Sequence, residues 1–244
     1  MRLGHVVVRA LSPAAALLGA AAVPFAVAAC SPGAHPPAAG ATTTAARSTA
    51  NPDLGLLTGA QLQRLLAPPS YFPAGFVPDP AGARDSGPGY QQPTASRIRA
   101  PDCRLLGGTS WTTITGIGGV SFAQDDYLDR ARSAEIAQEI DVYRGGTARA
   151  VLRKLGGIAA ACPSYTDPQT HTRATVRERA RPRLGDGGYV ITVTDPAWRG
   201  GTTLVAARAG TAVVTVLSTA GPGNGRASAL KLASHLVAAL PGQA

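Results

Sequence analysis

Residues 172–218, TRATVRERARPRLGDGGYVITVTDPAWRGGTTLVAARAGTAVVTVLS, decide the fold class. Four strand-like runs follow one another here, at about 172–183, 188–195, 202–208 and 211–218. They are rich in β-branched residues and separated by turn signals. Asp186-Gly187 is a strong hairpin signal and Ala209-Gly210 a weaker one. Strands joined by such short turns pair antiparallel.

Working outward, strands are expected over Thr109–Thr115, Val120–Tyr127 and about Glu135–Tyr143. After the Gly145-Gly146 break, Thr147 is placed to cap a helix over Ala148–Cys162, with Val151, Leu155, Ile158 and Ala159 at helical spacing. Pro163 stops it. Thr58 suits the cap of a short helix, Gly59–Leu66, and a final apolar helix is expected over about 226–240. Residues 68–101 hold eight prolines. They read as an extended segment that wraps the domain, pinned by Tyr71, Phe72, Phe76 and Tyr90. This order predicts an α+β fold: one domain over residues 54–244, an antiparallel sheet with helices packed on one face.

The chain has 244 residues, 45% of them apolar and 15% charged, with 29 Gly and 20 Pro. That excludes a coiled coil, a collagen and a polytopic membrane protein. The formal net charge is +9, carried almost wholly by arginine, since Lys154 and Lys231 are the two lysines.

Residues 1–29 read as a signal peptide: Arg2 and Arg9 precede an Ala-rich apolar stretch, which Pro13 and Pro24 interrupt. Val27-Ala28-Ala29-Cys30 resembles a bacterial lipobox. The resemblance implies a diacylglycerol thioether on Cys30, anchoring the chain to the lipid bilayer on the extracytoplasmic face of the cell membrane. The alternative is an ordinary secretion signal, with Cys30 incidental. Residues 30–53 then form a tether of Ala, Thr, Pro, Gly and Ser that offers nothing to offset ordering entropy. Extended, it would reach roughly 70 Å. Lipidation of Cys30 leaves Cys103 and Cys162, an even pair in an oxidising compartment, and a disulfide between them is expected. Two buried free thiols or half of a metal site are the other readings.

The layout resembles the PknH-like extracellular domain, the sensor domain of an actinobacterial Ser/Thr kinase that also occurs in stand-alone lipoproteins. The resemblance spans roughly residues 54–240. It rests on Gln138…Val142-Tyr143 before a helix ending in Cys162, and on Arg208-Ala209-Gly210 leading into Val213-Val214-Thr215-Val216. The family often carries two disulfides, where this chain can form one. It often has an aromatic residue before the helix cysteine, where this chain has Ile158-Ala159-Ala160-Ala161. The resemblance implies a non-catalytic sensor or ligand-binding domain with a central cleft.

No nucleophile elbow, P-loop, zincin or dinucleotide-binding motif occurs in the sequence. The loop Gly221–Gly225 reads as a helix entry rather than a phosphate cradle. Ser164, Ser218, Asp167, His171 and His235 supply the types of a Ser-His-Asp site without a spacing that unites them. Asp125, Asp126 and Asp129 lack the spacing of a calcium loop. No catalytic residue, cofactor or metal is therefore assigned.

The distinctive feature is basic. Arg173, Arg177, Arg179, Arg181 and Arg183 all fall on odd numbers, so a strand would place them on one face. A two-residue turn at Asp186-Gly187 would set Arg183, Arg181 and Arg179 opposite Val190, Thr192 and Thr194, and Pro182 marks an edge strand. Arg177, Arg179, Arg181 and Arg183 are the candidate anion-binding residues; a solvated face guarding a sheet edge is the alternative. The partner expected is a small ligand or wall component, anionic in character, and not nucleic acid. The function expected is a membrane-anchored, non-catalytic ligand-binding or sensor module. A secreted wall hydrolase or a structural wall protein is the alternative.

Overall fold

The computed structural model describes residues 51–108, 110–198 and 200–241. The signal peptide, Cys30 and most of the tether lie outside these residues. Eight strands form one antiparallel sheet: β1 (Val77–Asp85), β2 (Ser121–Asp129), β3 (Ala134–Val142), β4 (Ser164–Thr166), β5 (Arg173–Ala180), β6 (Gly188–Thr194), β7 (Gly201–Ala209) and β8 (Ala212–Ser218). Their spatial order is β1-β2-β3-β8-β7-β6-β5-β4. Two runs of strands that are neighbours in sequence, β1–β3 and β4–β8, thus meet where β3 pairs with β8. The helices are α1 (Gly59–Gln63), α2 (Thr147–Leu155), α3 (Ile158–Ala161) and α4 (Arg226–Ala239). The expected α+β class, antiparallel sheet and single domain hold.

The helices do not share one face, as the sequence reading placed them; they cover both. On the first face, α1 and α4 bury Leu62, Leu232 and Leu236 against Ile140, Val205, Val214 and Val216. On the second, α2 and α3 bury Val151, Leu155 and Ile158 against Ile191, Leu204, Val213 and Leu217. Each such side chain contributes about 1.5–3 kcal/mol when fully buried. Successive residues of β7 and β8 serve opposite cores, which is why both strands are buried at nearly every position.

Other departures have local causes. Trp111–Thr115 is a 3-10 turn rather than a strand, with Trp111 wholly buried. The β-branched run there mimics a strand pattern, but Gly116, at φ 71°, ends it in the left-handed region that favours glycine. The long helix expected over Ala148–Cys162 breaks at Gly156-Gly157 into α2 and α3. Part of the proline-rich segment forms β1, an edge strand whose pairing with β2 shifts register between Asp79 and Arg84. Phe72 does pin this region, stacking on Tyr127 at 3.7 Å. Cys103 and Cys162 are bonded, with Cα atoms 5.6 Å apart, and tie the end of α3 to the 3-10 turn Cys103–Gly107.

Candidate functional site

The β5–β6 hairpin differs from the expected one in register. Ala180 pairs with Tyr189, Arg179 with Val190, Arg177 with Thr192 and Thr175 with Thr194. A two-residue turn would have put Ala180 opposite Val193, so the pairing is displaced by four residues. An even displacement keeps every side chain on its face. It also removes Arg181 and Arg183 from the strand. Pro182 has no N–H to extend the ladder, and residues 181–187 form a connecting loop instead of a tight turn. Arg181 donates its backbone N–H to Gly188 O (2.7 Å) and is half-buried, while Arg183 is exposed. The candidate stripe of four arginines therefore reduces to Arg177 and Arg179. Nor is Pro182 on an edge strand: β4 pairs with Arg173–Thr175, although the rest of β5 lies beyond its reach.

Arg177 and Arg179 face the same side of the sheet as α4. Helix α4 packs chiefly over β7 and β8, with a smaller contact to β3, and the start of the helix borders a concavity on this face of β5 and β6. There Arg177, Arg179, Val190, Thr192 and Thr194 meet Asn224 and Arg226 around a pocket of about 220 Å³. Gly225 holds the last two in place. It sits at φ 76°, and a Cβ on it would stand 2.3 Å from Ser218 O, so the chain enters α4 tight against β8. Asn224, itself left-handed at φ 60°, accepts the Gly201 N–H through Oδ1 at 2.8 Å, which aims its amide nitrogen side elsewhere.

Three guanidiniums thus line one pocket. Among the described residues no carboxylate comes within ion-pair distance of Arg177, Arg179 or Arg226. Glu178 lies between the two strand arginines in sequence but on the opposite face, where burial raises its pKa. It does not neutralise them. Thr192 and Thr194 add hydroxyls, so the pocket offers donors of positive charge around a space fit for one phosphate or carboxylate group. The odd-number spacing found Arg177 and Arg179. Asn224 and Arg226 were missed as ligand-facing groups, because nothing local in the sequence says where α4 begins relative to β6.

The catalytic candidates are not assembled. Ser164 accepts from Arg173 Nε (2.9 Å), and Ser218 is buried and accepts from Ala220 N–H. Asp167 accepts the backbone N–H groups of Gln169 and Thr170. His235 lies against the Tyr71 ring at 4.6 Å. The three aspartates separate likewise: Asp125 accepts from Gln63 and Asp129 binds Arg132, both on one face, and Asp126 is on the other. Among the described residues no group of three His, Cys, Asp or Glu side chains comes together.

A second polar feature is buried. Glu139 and Asp141 alternate along β3 on the face covered by the Trp111–Thr115 turn, 4% and 7% exposed. Thr112 Oγ1 donates to Asp141 at 3.3 Å. Burial, and then the charge of Glu139, raise the Asp141 pKa well above the ordinary carboxyl range.

The chain is similar in structure to the extracellular domain of PknH from Mycobacterium tuberculosis, with a TM-score of 0.52 and 14% sequence identity over 75% of this chain and 95% of that one. No family model and no curated protein sequence matches it. At that identity the likeness establishes a shared fold. This pocket lies on the β5–β6 half of the sheet, away from its middle, so it is not the central cleft that the resemblance implies.

Proposed function

We propose that this protein is a membrane-anchored, extracytoplasmic, non-catalytic binding module, and that it takes an anionic group at Arg177, Arg179 and Arg226. The observation that carries this reading is one pocket lined by three guanidiniums, with no carboxylate of the described residues to pair them. Exposed like charges repel, and simple solubility does not require them to converge on a concavity. A phosphate or carboxylate would accept bidentate bonds from such a cluster. At about 220 Å³ the space is below the usual range for drug-sized ligands, about 300–1,000 Å³. The ligand therefore presents one anionic group rather than entering whole. The similarity to a domain described as extracellular supports the compartment, and the Val27–Cys30 sequence supports the anchor.

The test is titration of the full chain with inorganic phosphate, with vesicles rich in an anionic phospholipid, and with purified acidic wall polymer. Saturable binding that weakens as salt rises is expected, and loss of it in Arg177→Gln/Arg179→Gln. Phosphate competition against vesicles or polymer identifies which source bears the group. Equal binding by wild type and double variant overturns the reading.

A further inference from the structure

We propose a second site on the opposite face of the same hairpin, for an amphiphile with one anionic head and an apolar tail. A groove of about 480 Å³ lies between α2 and the 181–187 loop, within the usual range for whole small ligands. Leu152, Ala180, Pro182 and Tyr189 give it an apolar floor and walls, and Gly187 and Gly188 leave the floor without side chains. Its rim carries Arg149 and Arg153, four residues apart on α2 and so on one side of that helix. Both are exposed, and among the described residues neither has a carboxylate within ion-pair distance. Arg208, also at the groove, is different: Asp186 binds it at 2.9 Å.

The two halves of this lining select against simpler ligands. A bare hydrophilic anion would satisfy Arg149 and Arg153 but leave the apolar floor wet. A neutral lipid would cover the floor but leave two guanidiniums without partners. A single chain ending in a carboxylate or phosphate meets both demands. A concavity between a helix and a loop admits one such chain, whereas a bilayer surface would touch only its rim. The site shares no residue with the Arg177–Arg179–Arg226 pocket and does not depend on that assignment.

The test is calorimetric titration of the full chain with monomeric octanoate, decanoate and dodecanoate, below their micellar range. One-to-one binding is expected, tightening about twofold to fourfold per added methylene. Arg149→Gln/Arg153→Gln, both exposed and safe for folding, should weaken decanoate at least tenfold. Arg177→Gln/Arg179→Gln should leave it unchanged. Equal affinity in the Arg149/Arg153 variant, an affinity independent of chain length, or association only with anionic vesicles and not with monomers overturns the proposal.

Discussion

Gly156 lies directly against the ring of Tyr189: a Cβ built on it would stand 2.4 Å from both Cζ and Oη of the tyrosine. Gly156 ends α2 with φ −65°, a conformation any residue adopts, so this glycine is required by proximity and not by backbone. Tyr189 walls the apolar groove and is half-buried, so its ring has room to swing. Gly156→Ala should therefore keep the fold, within about 1 kcal/mol of wild type, since the lost chain entropy of glycine offsets the displacement. It should nonetheless change decanoate affinity by displacing the ring. Denaturant melts beside the titration check this; a large loss of stability would mean the ring is locked.

The Cys103–Cys162 bond fastens α3 and the Cys103–Gly107 turn over the second core, where Cys162 and Leu106 are both fully buried. Loss of a bond of this kind costs about 2–5 kcal/mol. Cys103→Ser/Cys162→Ser should lower Tm by roughly 5–15 °C for a domain of this size. Peptide mapping without reduction should show the linked pair, and an unchanged Tm in the variant would mean the helices hold this end without it.

Asp141 gives a pH dependence with a definite sign. Its pKa is raised in the fold by burial and by Glu139, so the folded state holds a proton that the unfolded chain has released. Stability is then full below the ordinary carboxyl pKa, about 3.9, and is lost as pH rises from there through the folded pKa. Asp141→Asn keeps an acceptor for Thr112 and removes the charge. Above the folded pKa it should be more stable than wild type by about 1.4 kcal/mol per pH unit of the shift; near pH 4 the two should converge. Melts from pH 4 to 8 read this directly, and parallel curves would show that the carboxyl titrates normally.

The anchor rests on Val27-Ala28-Ala29-Cys30. Cys30→Ser should move the protein from the membrane fraction to the soluble fraction. Among the described residues no helix is long and apolar enough to cross a membrane. A variant that stays in the membrane fraction would remove the lipid anchor from the reading.

Strands β3, β6, β7 and β8 were legible because β-branched residues and short turns mark them, and β2 through Phe122 and Tyr127 among polar neighbours after Val120. The two-faced covering leaves its trace in the unbroken apolar runs Leu204–Ala207 and Ala212–Val214, which a short buried strand shares with a buried helix segment. Other elements left no such mark. β1 contains Pro78 and Pro80, residues that argue against a strand and are tolerated here at an edge. β4 has three residues, too few for any period. The arginine face was legible by parity alone, which a four-residue register change cannot disturb. The extent of that face was not, since Pro182 could end the strand or lie within it. Arg226 belongs to the site through the packing of α4 on β7 and β8, a relation between segments far apart in sequence.

That distinction separates geometry from net charge as the cause of anion binding. Arg177→Gln/Arg179→Gln and Arg181→Gln/Arg183→Gln remove the same charge from the same stretch of chain. If binding followed the overall positive field, both pairs would weaken it alike, and steeper screening at high salt would be the main signature. If the pocket beside α4 is the site, the first pair should lose phosphate binding by about tenfold or more. The second should stay within about twofold, because Arg181 and Arg183 lie in the loop and line no part of that pocket. Arg226→Gln, changed in a different element, should behave like the first pair. Arg179→Lys adds a chemical criterion: it keeps the charge but removes the planar fork, so it should weaken a bidentate phosphate contact while leaving a diffuse electrostatic one intact. Calorimetry with the five proteins at 50 mM and 200 mM salt resolves the two causes. Equal losses in the 177/179 and 181/183 pairs would assign the effect to charge alone and leave the pocket without a ligand.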